Sequence, residues 1–145
     1  MIENLLRDII IYQETVKDEV DNRIYYVTAP QQVEQGDDTY LVLTKISHSP
    51  NHNFGSTSGW ASDVVRFTVH GRTYHETKTV ILKLKKLFRD LTENETYFLL
   101  PWQTVEGKIW LQATNVDNEV DHFEDSNRMF YSHLSVTVMY DKEVQ

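Results

Sequence analysis

The chain has 145 residues, no cysteine, three prolines, five glycines and a formal net charge of −8. That length fits one domain, which can bury roughly two thirds of its unfolded surface without a disulfide or metal staple. The missing Cys excludes disulfide frameworks, thiolate metal sites and thiol nucleophiles, and an apolar content of 40% with 12% aromatics excludes a disordered chain.

The first segment reads as one amphipathic helix. Ile2, Leu5, Leu6, Ile9, Tyr12, Val16 and Val20 follow helical spacing with charges between them, and fraying is expected near Asp18 and Glu19. Arg23 to Val27 is aromatic and β-branched and stops at Pro30, the pattern of a strand. A polar loop from Gln31 to Asp38 leads to an inner strand around Tyr40 to Ile46. Residues 48–62 crowd Pro, Asn, Gly and Ser without periodicity, which predicts a long loop, and such loops commonly carry function. Phe54, Gly55 and Trp60 in it are candidate partner contacts.

Asp63 to Arg72 alternates as a strand, with Val65, Phe67 and Val69 on one face and Arg66, Thr68 and His70 on the other. Thr73 and Glu76 form a capping box. The helix it opens carries the stripe Thr77, Val80, Ile81, Leu84, Leu87, Phe88 and Leu91, and ends around Thr92 to Asn94. Tyr97 to Trp102 and Lys108 to Thr114 resemble a hairpin whose first strand Pro101 places at an edge. Asn115 to Asn127 reads as an acidic connector. Met129 to Tyr140 is a last strand, with Leu134, Val136, Val138 and Tyr140 inward and His133, Ser135 and Thr137 outward. The expected fold is a single α+β domain over residues 1–145: a mainly antiparallel sheet packed by two amphipathic helices, with long loops.

The charge is segregated. Residues 1–38 carry net −6, 39–62 net +1, 63–92 net +4 and 93–145 net −7. A net charge of −8 argues against a general nucleic-acid binder. No apolar run is long enough for a membrane, and Glu3 and Asp8 are the wrong charge for a signal peptide. A soluble, unprocessed intracellular product is expected.

Motifs for chemistry are missing. The six His residues (His48, His52, His70, His75, His122 and His133) show no zincin spacing, and no carboxylate lies near His48 or His52 in sequence. The stretch Asp117 to Arg128 imitates a calcium loop but has His122 where the turn needs Gly and Arg128 where a bidentate Glu is required. Gly55 to Gly59 lacks the P-loop Lys, and no G-x-S-x-G elbow occurs. No catalytic residue, metal site or cofactor is assigned. The second helix is more informative. Opposite Leu84, Lys78, Lys85 and Arg89 lie on one flank and Lys83 and Lys86 on the other, with Leu82 between them. This basic face, and the acids Asp117, Glu119, Asp121, Glu124 and Asp125, are candidate subunit interfaces. Two unlike surfaces are what a ring requires.

The run VVRFTVHGRTYHETKTVILKLKKLF, ending at Phe88, passes from a strand through an Arg-Thr-Tyr turn into an amphipathic helix. An acidic turn at Phe123 to Asp125 leads into the long strand Met129 to Tyr140. Together these resemble the tail completion, or tail-to-head joining (tail terminator), family of long-tailed bacteriophages. The resemblance implies a small α+β virion protein with no catalytic residue and no cofactor. It implies a hexameric ring that caps the tail tube and joins it to the head connector, assembled in the host cytoplasm. DNA would pass through its lumen without specific binding, as an acidic or neutral lining allows. The loop 48–62 and the segment Tyr97 to Trp102 depart from the family pattern. The alternatives are another neck or minor capsid protein, a monomeric module holding a small apolar ligand near Trp60, Trp102 and Trp110, or an enzyme using one of the His residues.

Overall fold

Two helices open the chain where the periodicity predicts one: α1 (Ile2–Tyr12) and α2 (Glu14–Val20). Both keep the predicted stripe inward, with Ile2, Leu5, Leu6, Ile9, Val16 and Val20 buried. Asp21 then adopts the left-handed conformation (φ 52°), and the Arg23 N–H bonds the Val20 carbonyl at 3.0 Å, which ends the second helix. The structure, a computed structural model, describes residues 2–12, 14–30, 36, 38–53, 56–93, 102–104, 107–125 and 128–142.

Six strands follow in chain order: β1 (Ile24–Tyr26), β2 (Tyr40–Asn53), β3 (Ser56–Gly71), β4 (Trp102–Thr104), β5 (Gly107–Glu124) and β6 (Met129–Lys142). The helix α3 (Tyr74–Glu93) separates β3 from β4. The strands form one sheet in the order β1-β2-β3-β6-β5-β4. All pairs are antiparallel except β1 with β2. The chain is therefore α+β with a mainly antiparallel sheet, as its sequence predicts.

Two predicted loops are strands instead. Residues 48–53 and 56–62 prolong β2 and β3, and the acidic stretch 115–124 prolongs β5. Bulges hid both from a period-two reading. An extra residue at Gln112 and another at Asp117 shift β5 against β6, so its helix-side row runs Ile109, Leu111, Thr114, Val116, Glu119, Asp121. In β2 the extra residue is Ile46, and the register slips again beyond Pro50. The Pro is tolerable there because β1 pairs with β2 only from Leu41 to Leu43, leaving Pro50 on the sheet's edge. Of the predicted hairpin before Trp102, residues 97–101 lie outside the described residues, and β4 pairs with β5 over Trp102 to Thr104.

The capping box forms: the Glu76 N–H donates to the Thr73 hydroxyl at 3.2 Å. The α3 stripe Thr77, Val80, Ile81, Leu84, Leu87, Phe88 and Leu91 is buried throughout. It packs with α1 and α2 on the sheet face that carries Leu41, Leu43, Val65, Phe67, Val69, Leu134, Val136 and Val138. Phe67 and Phe88 meet at the centre, ring centroids 5.1 Å apart. The Thr114 hydroxyl donates to the Phe88 carbonyl at 3.0 Å and fixes α3 against β5. The other sheet face carries no helix among the described residues; there Ala29, Tyr40, Val42 and Met129 make a small second cluster.

Leu84 is fully buried, whereas Leu82 on the same helix is 62% exposed. Leu84→Ala is expected to destabilise the fold by about 3 kcal/mol and Leu82→Ala by less than about 0.5 kcal/mol, read from urea unfolding midpoints. Equal losses would contradict this placement of α3.

Candidate interaction surfaces

The sequence assigns α3 a basic outer face. The fold turns both of its flanks onto acids of the same chain. Lys78 Nζ donates to Glu119 at 2.7 Å and lies 2.9 Å from Asp121. Lys85 Nζ donates to the second Glu119 oxygen at 2.6 Å. On the opposite flank Lys83 Nζ donates to Glu19 of α2 at 2.6 Å. The β5 bulge at Asp117 makes the first contacts possible, because it returns Glu119 and Asp121 to the helix side. Of the candidate interface residues, Lys78, Lys83, Lys85, Glu119 and Asp121 are thus joined within one subunit. Leu82, Lys86 and Arg89 stay exposed on α3, with Arg89 only 3.8 Å from its neighbour Asp90. Asp117, Glu124 and Asp125 are also exposed, on β5 and at its end. Asp117 accepts hydrogen bonds from Asn115 and Thr137.

These pairs set the charges. Burial works against the Lys78 ammonium, but bonds to Glu119 and Asp121 outweigh it and push its pKa up to about 12. Lys78 and then Lys85 hold Glu119 below the ordinary carboxylate value. Asp121 is lowered chiefly by the Ser132 hydroxyl, which donates at 2.6 Å, and then by Lys78.

Of the candidate partner loop, Phe54 and Gly55 lie outside the described residues. Trp60 belongs to β3, where its backbone stands opposite Asp141. Trp110 of β5 also stands opposite Asp141, while Trp102 pairs with Ile109, so the register gathers two of the three Trp positions into one row.

A buried polar cluster, unforeseen in the sequence, lies within the sheet at Asp63, which pairs with Val138 of β6. Asp63 has no exposure. Its carboxylate is hydrogen-bonded to His48 Nδ1 and accepts from the Tyr140 hydroxyl at 2.9 Å. Lys45 Nζ lies 3.6 Å from Asp63 and 3.8 Å from Glu3 at the start of α1. In a regular strand Lys45 and His48 would face opposite sides; the extra Ile46 turns both toward Asp63. One signal was available: Asp63 shares the parity of Val65, Phe67 and Val69.

The open sheet face carries a row of rings from four strands. Tyr40 and His70 stack at 4.5 Å with an interplanar angle of 6°. His70 stacks on Tyr131 at 5.6 Å, and Tyr131 on His122 at 4.9 Å. His133 meets His122 and Tyr131 edge-on and shares a 2.9 Å hydrogen bond with Thr68. Burial, then the neighbouring His133, lowers the His70 pKa to about 4. These imidazoles, read from sequence as surface or loop groups, are structural members of the face. Among the described residues no three His, Asp or Glu side chains converge as a metal site.

No family model and no curated protein sequence matches the chain. Its fold is similar to a chain from the virion of a native gene transfer agent particle, with a TM-score of 0.60 and 11% identity over 90% of this chain and 91% of the other.

Two outcomes test these contacts. Glu119 and Asp121 titrate below their ordinary values in the folded chain, so their contribution is present above those values and is lost as the pH falls through the lowered ones. Stability is therefore expected to drop below about pH 4, and Glu119→Gln should flatten that acid limb in pH-dependent urea unfolding. Unchanged slopes would contradict the pairing. At the buried cluster, Tyr140→Phe is expected to cost about 1 kcal/mol. Asp63→Ala should cost about 3 kcal/mol, because it strands the groups gathered around the carboxylate. Strict additivity in the double variant would show that Tyr140 and Asp63 do not interact.

Proposed function

We propose that this chain is a structural subunit of a phage-type virion that forms a ring at the end of a tail tube and joins the tube to the head connector. The observation that carries this is the likeness of its fold, over nine tenths of the chain, to a chain from the gene transfer agent virion. The tail-completion motifs around Arg72 to Glu76 and Phe123 to Tyr140 narrow it to the tail end. The ring is six-membered, its partners are the tail tube protein and the head connector, and DNA crosses the lumen without sequence-specific contact. It is not an enzyme and takes no cofactor.

A cyclic ring joins one surface of a subunit to a different surface of the next. The exposed Leu82, Lys86 and Arg89 supply a basic surface, and the exposed Asp117, Glu124 and Asp125 an acidic one. Lys78 and Lys85 hold acids of their own subunit and contribute through the surface they stiffen. Phe54, Gly55 and Trp60 contact the tube or the connector.

Native mass spectrometry and light scattering are expected to give a closed oligomer. Lys86→Glu with Arg89→Glu should shift it to monomer while the unfolding midpoint stays within about 0.5 kcal/mol of the parent. A parent protein that is monomeric at every concentration and forms no ring with tube protein present would overturn the proposal and favour a monomeric binding module.

A further inference from the structure

The open sheet face contains a pocket of about 310 Å³, lined by none of the residues proposed above for contacts between chains. Its floor is the centre of the sheet, with Thr44 of β2, Arg66 and Thr68 of β3, and His133 of β6. Arg66 stands out there. It is half-buried, and no hydrogen bond or ion pair engages its guanidinium among the described residues. Elsewhere the chain matches Lys78, Lys83 and Lys85 to carboxylates. A half-buried cation that meets no counter-charge among the described residues is costly to hold partly out of water.

The other walls suit an anion. No acidic side chain lines the pocket among the described residues. Tyr40, His70 and Tyr131 spend their faces on one another. All three rings line the pocket. His70 and His133 both titrate below the ordinary imidazole value, chiefly through burial, so near neutral pH they stand as uncharged partners. Arg66 adds to the lowering of His133, and Glu124 is the acid whose field reaches His70, opposing its shift.

The rim carries strain. Val27 has φ 67°, a conformation that β-branched residues rarely adopt. The Thr28 N–H bonds the Tyr26 carbonyl at 2.7 Å around it, a tight three-residue turn. The strain is held on both sides: the Val27 N–H bonds the Leu43 carbonyl at 2.9 Å, and Ala29 is buried against Tyr40 and Val42. Backbone strain fixed this firmly gathers at ligand sites.

We propose that this pocket binds a phosphate group, held by the Arg66 guanidinium with the Thr44 and Thr68 hydroxyls beside it. The group comes either from free orthophosphate or from a phosphodiester, and one titration separates them. Imidazole resonances of His70 and His133 are followed by NMR in the full-length protein while inorganic phosphate is added at constant ionic strength, and again with short single-stranded DNA. Saturable shifts with phosphate are expected, together with higher titration midpoints for both imidazoles when the anion is bound. Arg66→Gln should weaken binding about tenfold or more, and Thr44→Val by less. Competition by the DNA identifies the phosphodiester as the source; phosphate saturation that the DNA leaves untouched identifies free phosphate. Shifts that chloride reproduces, or saturation that survives in a folded Arg66→Gln protein, would overturn the proposal.

Discussion

A fully buried carboxylate ties together β2, β3, β6 and the start of α1. Asp63 sits in the apolar row of β3, between Ala61 and Val65, with no exposure. A charge in that position is tolerated only when its lone pairs are met. His48, Tyr140 and Lys45 meet them, and they come from two neighbouring strands. For β2 to supply both Lys45 and His48, it has to take an extra residue at Ile46. Such a bulge bends the strand and increases its local twist. Lys45 also reaches Glu3, so the first turn of α1 is fixed by the same group. Glu3 Oε2 is buried and accepts no hydrogen bond among the described residues, which marks the far end of the network as its least satisfied point. The bulge in β2, the start of α1 and the Tyr140 hydroxyl are thus tied to one buried carboxylate.

The charge segregation of the sequence is largely reconciled inside the subunit. The basic central segment meets the acidic C-terminal one through Lys78, Lys85, Glu119 and Asp121, and meets the acidic N-terminal one through Lys83 and Glu19. These groups are partly exposed, and pairs of that kind contribute little stability each. Their effect is orientation: α3 is held between β5 on one flank and α2 on the other. The exposed residues of α3 are Tyr74, His75 and Glu76 in its first turn, and Leu82, Lys86, Arg89 and Asp90 beyond it. Part of the segregation that the sequence suggests as a contact between chains is used within one chain, through Lys78, Lys83 and Lys85.

How legible each element is depends on whether its pattern is local. Helix α3 is fully legible, because Thr73, Glu76 and the stripe from Thr77 to Leu91 lie within one stretch with a single period. Strand β6 is equally plain, since its inner row keeps strict alternation. Strand β5 is not: bulges at Gln112 and Asp117 flip the parity twice, so its acids read as a connector. The distal parts of β2 and β3 are masked by Pro50 and by the Gly and Ser positions around the turn, which a sheet edge tolerates. Asp63 is hidden by distance in the chain, for its partners lie 15 residues before it and 77 after it. The ring row of the open face is invisible for the same reason, as each strand contributes one or two rings and only the register brings them together.

The edges of the sheet bear on how a ring could close. Strand β1 covers β2 only as far as Leu43, and β4 covers β5 only at its first residues. Long stretches of both edge strands are therefore unpaired among the described residues, and joining them would be the simplest way to link subunits. The strands are built against that. Strand β5 carries two bulges and a series of acids, and β2 carries a bulge, Lys45 and Pro50. Bulges, charges and proline are the means by which sheets prevent strand addition along an edge. A ring assembled from this subunit would then close through side-chain surfaces such as that of α3, with the sheet edges kept apart. In that arrangement contact strength would depend on a few exposed groups and on salt.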